Sequence, residues 1–118
     1  VRGVGCGGGS SSIALTSAGA EVHGVDILQK MIVQAQLNGK AVPGVSFAMG
    51  DAAVTAFENS FNGVFSRFGV MFFSDPVAAF ANIRSALAAD GRMVFLSWQE
   101  LYSRPHLNFY FVCRAGLV

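Results

Sequence analysis

Short apolar runs alternate with segments of helical periodicity along most of this chain. Each run is short, rich in β-branched or aromatic residues, and bounded by glycine, proline or aspartate, which is typical of buried strands. The pattern therefore predicts five strands, at residues 1–5, 21–25, 45–49, 61–68 and 92–98.

Two helices are predicted between the first three strands. One covers residues 10–18, with serines at its start that can cap free backbone N–H groups and Gly19 at its end. In the other, apolar residues recur at i, i+3, i+4 and i+7, which places them on one helix face. They are Leu28, Met31, Ile32 and Ala35.

A third helix is predicted before the fifth strand. Asp75 is its expected N-cap, and Pro76 follows at the first helical position. Its buried face and its C-cap glycine are predicted at Phe80, Ile83, Leu87 and Gly91.

Strands that alternate with crossover helices favour a doubly wound α/β fold with a mainly parallel sheet. Residues 1–98 form the expected core of this fold. Residues 99–118 show no clean period and are interrupted by Pro105. This tail is compatible with a strand, with a lid helix at the start of a substrate region, or with no stable element.

Composition limits the kind of protein. A chain of 118 residues with 53% hydrophobic and 13% charged residues has room for one domain and is not intrinsically disordered. Its net charge is +1 and no basic patch occurs, so nucleic acid is not an expected partner. No apolar run approaches the roughly 20 residues that span a bilayer, so we expect no membrane partner.

The cysteines suggest a cellular compartment, and the first residues suggest whether the chain is complete. Cys6 and Cys113 form neither a zinc-site spacing nor a disulfide framework, which favours a reducing, cytoplasmic compartment. No metal is expected, because His23 and His106 have no companion ligands. The chain lacks an initiating Met and begins inside a predicted strand, so we expect it to be incomplete at both ends.

A glycine-rich turn follows the first strand, at residues 5–9. Glycines there allow a ligand to approach the backbone, and the next helix presents N–H groups and a positive dipole end. The alternative is a tight turn without a ligand. Cys6 lies in this turn with no neighbouring base, so it is not expected to be a nucleophile.

Two acidic residues follow the second and third strands. Asp26 can accept hydrogen bonds from both hydroxyls of a ribose, or it can cap the next helix. Asp51, with the small residue Ala52 beside it, suits an adenine amine, but for a lone Gly-Asp pair an ordinary turn after a strand is the better explanation.

The end of the fourth strand carries a polar pair in an apolar stretch. Arg67 either reaches the crevice beyond the strand ends or extends to solvent, and Ser66 precedes it. Three nearby rings are candidates to line a substrate pocket, namely Phe68, Phe72 and Phe73.

In this order the motifs resemble the class I S-adenosylmethionine (SAM)-dependent methyltransferase family, of the type that acts on small molecules. The likeness covers about residues 1–98. Its segments are the glycine motif at 4–9, the ribose-binding acid motif at 22–26, the adenine motif at 47–52, the fourth-strand motif at 61–73 and the fifth strand at 91–95.

The resemblance implies a SAM cofactor, methyl transfer to a small-molecule acceptor, and a set of cofactor-binding residues. These are Gly5, Cys6, Gly7, Asp26, Ile27, Met31, Asp51, Ala52, Ser66 and Arg67. It names no catalytic base and no oligomeric state.

The chain departs from the family pattern at three positions. Gly3 stands where the family has an acid, Arg2 where it has an apolar residue, and Asn62 where it has an aspartate. The helices before the first strand and the last two strands of the family are not recognisable.

Two other interpretations stay open. Residues 3–8 also match the G-x-G-x-x-G pattern of dinucleotide-binding proteins, which would make the chain an NAD(P)-dependent oxidoreductase. Alternatively, Arg2, Gly3 and the patternless tail would fit a non-catalytic, truncated remnant.

Overall fold

The computed structural model of the chain describes residues 1–56, 61–97 and, as backbone alone, 109–114. Within these residues, six strands form a single sheet, and three α-helices and one 3-10 helix lie between them in the chain. In chain order they are β1 (Arg2–Val4), α1 (Ser10–Ser17), β2 (Val22–Asp26), α2 (Gln29–Asn38), β3 (Val45–Met49), β4 (Phe61–Arg67), the 3-10 helix η1 (Gly69–Phe72), α3 (Pro76–Ser85), β5 (Leu87–Ser97) and β6 (Phe109–Arg114).

The strand order across the sheet is β3-β2-β1-β4-β5-β6. Strands β1 to β5 run parallel, and β6 pairs antiparallel with β5. The predicted doubly wound, mainly parallel fold is therefore confirmed. The order changes direction between β1 and β4, and this switch point opens a crevice at the carboxyl ends of the strands.

Two apolar clusters pack on the opposite faces of the sheet. On one face, strand residues such as Val4 and Val64 pack with Ile83 of α3. On the other face, Phe47 of β3 packs with Ile32 and Ala35 of α2. The short strands β1 and β2 supply Val4 and Val25 to the first cluster, whereas β3 supplies the strand residues of the second.

The predicted apolar face of α2 is only half correct. Ile32 and Ala35 are buried, as expected, because they face β3. Leu28 and Met31 are 56% and 41% exposed. Leu28 is the N-cap residue and lies at the crevice, where no strand covers it.

The serines of α1 do not cap their helix as predicted. The N-cap is Gly9, which has φ +87°, and no side chain caps the helix start. Glycine adopts this left-handed conformation readily, so the chain turns into the helix one residue before the first serine. The N-terminal N–H groups of α1 are therefore left for solvent or a ligand.

The end of α3 was also predicted wrongly. Asp75 caps the helix start through the backbone N–H of Ala78, as expected, but the helix ends at Ser85. Leu87 and Gly91 both belong to β5. Leu87 pairs with Phe61 of β4, and this ladder contact extends the strand where helical spacing alone suggested another turn.

Part of the tail is a strand. Residues 109–114 form β6, the strand among the three structures that the sequence allowed there. Trp98, Pro105, His106 and the rest of the tail lie outside the described residues. No described helix has the length and apolar character needed to cross a membrane.

Candidate functional site: the carboxyl edge of the sheet

A cleft of about 500 Å³ opens at the carboxyl ends of β1, β2, β3 and β4. Its volume falls in the range of about 300–1,000 Å³ that small-molecule sites occupy. The predicted site residues that line it are Gly5, Asp26, Ile27, Asp51, Ala52 and Arg67. Ile27 is 63% exposed at the cleft mouth.

The glycine turn closes tightly against the neighbouring strand ends. The Cys6 N–H donates to the Val25 carbonyl at 3.0 Å, and the Gly9 N–H donates to the Cys6 carbonyl at 3.0 Å. Gly5 has φ +63°, and a Cβ atom there would lie 2.8 Å from the Cα of Gly69. Glycine at position 5 therefore lets β1 and the start of η1 meet at the switch point.

Asp26 lies at the end of β2 and holds two backbone segments together. One carboxylate oxygen accepts from the Gly7 N–H at 2.9 Å, and the other accepts from the Leu28 N–H at 2.9 Å. The sequence predicted either a helix-cap role or a crevice position for Asp26. The structure contains both, the cap-like contact with the Leu28 N–H and the position on the cleft. Each carboxylate oxygen can accept a further hydrogen bond, so the group can still bind a ligand.

The loop after β3 places Asp51 and Ala52 on the same cleft. Asp51 accepts from the Ala53 N–H at 2.9 Å, which is the turn geometry that the sequence left as an alternative. Asn82 of α3 fixes this loop, because its side-chain amide donates to the Ala52 carbonyl at 2.8 Å and the Thr55 carbonyl at 3.0 Å.

A second, smaller cavity of about 200 Å³ lies between the start of α1 and the strands β1 and β4. Cys6 and Gly7 line it, and both cavities share Val4, Gly5, Arg67 and Phe68. Burial and the nearby Asp26 carboxylate raise the pKa of the Cys6 thiol to about 11. The thiol is therefore neutral near pH 7, which agrees with a non-nucleophilic Cys6.

The end of β4 forms the wall opposite the acids. Arg67 borders both cavities and is exposed, so it lies at the crevice and also reaches solvent. Phe68, Phe72 and Phe73 all line the larger cleft, and Phe72 is 79% exposed. Phe68 has φ +66°, a conformation that is strained for a non-glycine residue and that turns the chain from β4 into η1.

Two of the predicted binding residues lie in neither cavity. Ser66 is fully buried, because its side chain faces the Gly69 turn instead of the crevice. Met31 is exposed on α2 but borders neither space. Sequence reasoning also missed lining residues, among them Ser12 and Gly69, and only Gly69 had a usable signal, as a glycine directly after a strand.

A larger cavity of about 590 Å³ lies at the opposite, amino-terminal ends of the strands. Two of its polar side chains contact each other, as His23 Nδ1 and Ser46 Oγ lie 2.6 Å apart. His23 is therefore a hydrogen-bonded histidine. Arg2, whose position in a central strand was unusual, stacks its guanidinium 4.5 Å from the centre of the Phe61 ring. We therefore take the smaller, carboxyl-end cleft as the candidate functional site, because Asp26 and Asp51 line it beside the glycine turn.

A doubly wound sheet with a glycine turn and an acid at its switch point defines the class of nucleoside-cofactor-binding α/β domains. Within this class, residues 3–95 match the family model described as a methyltransferase domain. The chain belongs to this methyltransferase family.

Individual relatives agree with the family. The chain is 34% identical over 110 residues to phosphoethanolamine N-methyltransferase 2 of Caenorhabditis elegans, covering 91% of this chain and 25% of that protein. The chain therefore spans about a quarter of that curated relative.

Two solved structures show the same fold. The YcgJ protein of Bacillus subtilis is 28% identical with a TM-score of 0.77, covering 81% of this chain and 42% of that one. The Haemonchus contortus phosphoethanolamine N-methyltransferase 2, solved in complex with S-adenosyl-L-methionine, is 29% identical with a TM-score of 0.76. That match covers 81% of this chain and 23% of the Haemonchus protein.

Proposed function

We propose that this chain is the SAM-binding core of a methyltransferase that transfers a methyl group to a small-molecule acceptor. The observation that carries the proposal is the position of Asp26, beside the glycine turn and open to a cleft of about 500 Å³. Membership of the methyltransferase family supports SAM over the nicotinamide cofactor that the glycine pattern also allowed.

The cleft residues fit an adenosine. Asp26 would accept from the two ribose hydroxyls with the lone pairs that its backbone contacts leave free. Asp51 would accept from the adenine amine, and the small, buried Ala52 leaves room for the ring. The exposed Ile27 and Leu28 would cover one face of the base, which would remove their apolar surface from water.

The acceptor would lie against the aromatic wall formed by Phe68, Phe72 and Phe73. Bound SAM supplies an electrophilic methyl group on a sulfonium, so the protein has mainly to exclude water and orient the acceptor nucleophile. Phosphoethanolamine, named for the nematode relatives, is a reasonable first acceptor to assay. Arg67 would be available to pair with its phosphate.

A cytoplasmic setting is proposed on one observation. Cys6 is a free thiol among the described residues, which suits a reducing compartment. Nucleic acid is not proposed as a partner, because the net charge of +1 gives no electrostatic basis for binding a phosphate backbone.

The test is calorimetric titration of the 118-residue chain with S-adenosylhomocysteine and, separately, with NAD. We expect saturable binding of S-adenosylhomocysteine and at least a tenfold weaker response to NAD. Tighter binding of NAD would support the oxidoreductase interpretation instead.

A thermal melt separates a working site from an inactive remnant. A ligand that binds only the folded state raises the melting temperature, and the increase continues as the ligand concentration exceeds its dissociation constant. A cooperative transition whose melting temperature rises with S-adenosylhomocysteine supports the proposal. A broad transition that neither S-adenosylhomocysteine nor NAD shifts would indicate a remnant without a site.

A further inference from the structure

The smaller cavity beside the glycine turn contains hydrogen-bond donors and no acidic side chain. The donors are the backbone N–H groups at the start of α1, the Arg67 guanidinium, and the hydroxyls of Ser10, Ser11 and Ser12. None of the residues that line this cavity is aspartate or glutamate. Such a set of donors suits an anion better than a cation.

Ser12 distinguishes this cavity from an ordinary helix start. Its side chain is only 2% exposed, yet it borders the cavity, and its hydroxyl has no hydrogen-bond partner among the described residues. Its hydroxyl can therefore donate a hydrogen bond to a ligand atom in the cavity without giving up a bond within the protein.

Gly3 explains why the hydroxyl can lie there. A Cβ atom at position 3 would be 2.8 Å from Ser12 Oγ, so any larger residue in β1 would displace the serine. Because position 3 of β1 is glycine, the Ser12 hydroxyl of α1 occupies the space that a longer side chain at position 3 would fill.

The small cavity adjoins the larger cleft through Gly5 and Arg67, which border both. An adenosine in the larger cleft would thus place its 5′ substituent towards the donors of the smaller one. We propose that Ser12 is a cofactor-positioning residue, and that this chain holds the amino-acid end of SAM by its carboxylate, with Ser12 Oγ as one donor, more than by its ammonium group. This inference rests on the proposed SAM site.

The first test uses the unmodified chain and four ligands in calorimetric titrations. S-adenosylhomocysteine carries both charged groups, its deaminated analogue keeps only the carboxylate, its decarboxylated analogue keeps only the amine, and methylthioadenosine has neither. We expect the deaminated analogue to bind within about threefold of S-adenosylhomocysteine, and the decarboxylated one about tenfold more weakly.

The second test compares Ser12→Ala with Thr16→Val. Thr16 lies one turn further along α1, and its buried hydroxyl also has no partner in the described part of the chain, but it borders neither cavity at the carboxyl edge. Ser12→Ala should weaken S-adenosylhomocysteine and the deaminated analogue about three- to tenfold and leave methylthioadenosine unchanged. Thr16→Val should change none of them.

The outcomes distinguish the two proposals. If none of the four adenosine ligands binds the unmodified chain, the proposed function itself fails. If they bind but the decarboxylated analogue equals or exceeds the deaminated one, or Ser12→Ala weakens methylthioadenosine as much as the others, the role of Ser12 is refuted. The ligand series is measured on the unmodified chain. It can therefore refute the inference even if Ser12→Ala fails to fold.

Discussion

Polar side chains at the two edges of the sheet have different surroundings. At the amino edge, the side chains of His23 and Ser46 contact each other at 2.6 Å, and Arg2 stacks on Phe61. At the carboxyl edge, Asp26 braces the backbone and still faces an open cleft.

The larger cavity lies at the edge opposite the proposed site. It measures about 590 Å³ against about 500 Å³ for the carboxyl-edge cleft. Volume alone would therefore select the wrong end of the sheet. Polar groups with unused bonding capacity identify the site better, because only those groups can exchange water for a ligand without losing an internal bond. Substitutions at the carboxyl edge should change affinity, and substitutions at the amino edge should change stability alone.

The largest effect is expected for Gly5→Ala. The left-handed backbone and the 2.8 Å approach to Gly69 both oppose a side chain there, so the free energy of unfolding should fall by about 3 kcal/mol. Urea denaturation followed by circular dichroism measures it. Gly19→Ala is the control: its φ is +105°, no atom lies within 4 Å of its added Cβ, and the strain alone should cost about 1 kcal/mol. Equal losses would mean that the contact between Gly5 and Gly69 contributes nothing.

Asp26→Asn should affect binding most. An asparagine has one acceptor oxygen, so its amide nitrogen must face either the Gly7 or the Leu28 N–H, and the charge that would bind the ribose is lost. We expect affinity for S-adenosylhomocysteine to fall about 30- to 100-fold by calorimetry. Asp90→Asn, an exposed carboxylate on β5, should leave affinity unchanged. If Asp26→Asn lowers stability but leaves affinity unchanged, Asp26 only holds the Gly7 and Leu28 backbone segments together and does not bind the ligand.

Sequence patterns predicted the fold well where a signal is local. The strands β1 to β4 and the crevice position of Asp26 follow from apolar runs and from the rule that parallel strands end at one edge. The end of α3 was missed because Leu87 fits the helical spacing, and only its pairing with Phe61 across the sheet makes it a strand residue.

The site was predicted less completely for a similar reason. Ser12 carries no local signal, since its importance arises from the absence of a side chain at Gly3 on another element. Ser66 was predicted to bind cofactor from the family resemblance, yet alternation along β4 turns its side chain into the protein. Which of two adjacent strand residues faces a cleft depends on packing that the sequence does not specify.

The smallest effect is expected at the amino edge, for His23→Gln. Burial, and to a lesser extent the charge of Arg2, lower the pKa of His23 below its ordinary value of 6.5. The unfolded state therefore binds more protons as the pH falls through about 6.5, and the free energy of unfolding decreases with it.

His23→Gln should remove this decrease, which we expect to be less than about 1 kcal/mol between pH 7 and pH 5 for a half-buried group. Urea denaturation of the unmodified chain and of His23→Gln at several pH values measures this difference in the free energy of unfolding. His106 is present in both proteins, so its contribution cancels in the difference. Affinity for S-adenosylhomocysteine at pH 7.5 should be the same for both chains, because His23 lies at the edge opposite the cleft. A loss of affinity in His23→Gln would contradict the separation of the two edges, since a change confined to the amino edge would then have reached the site.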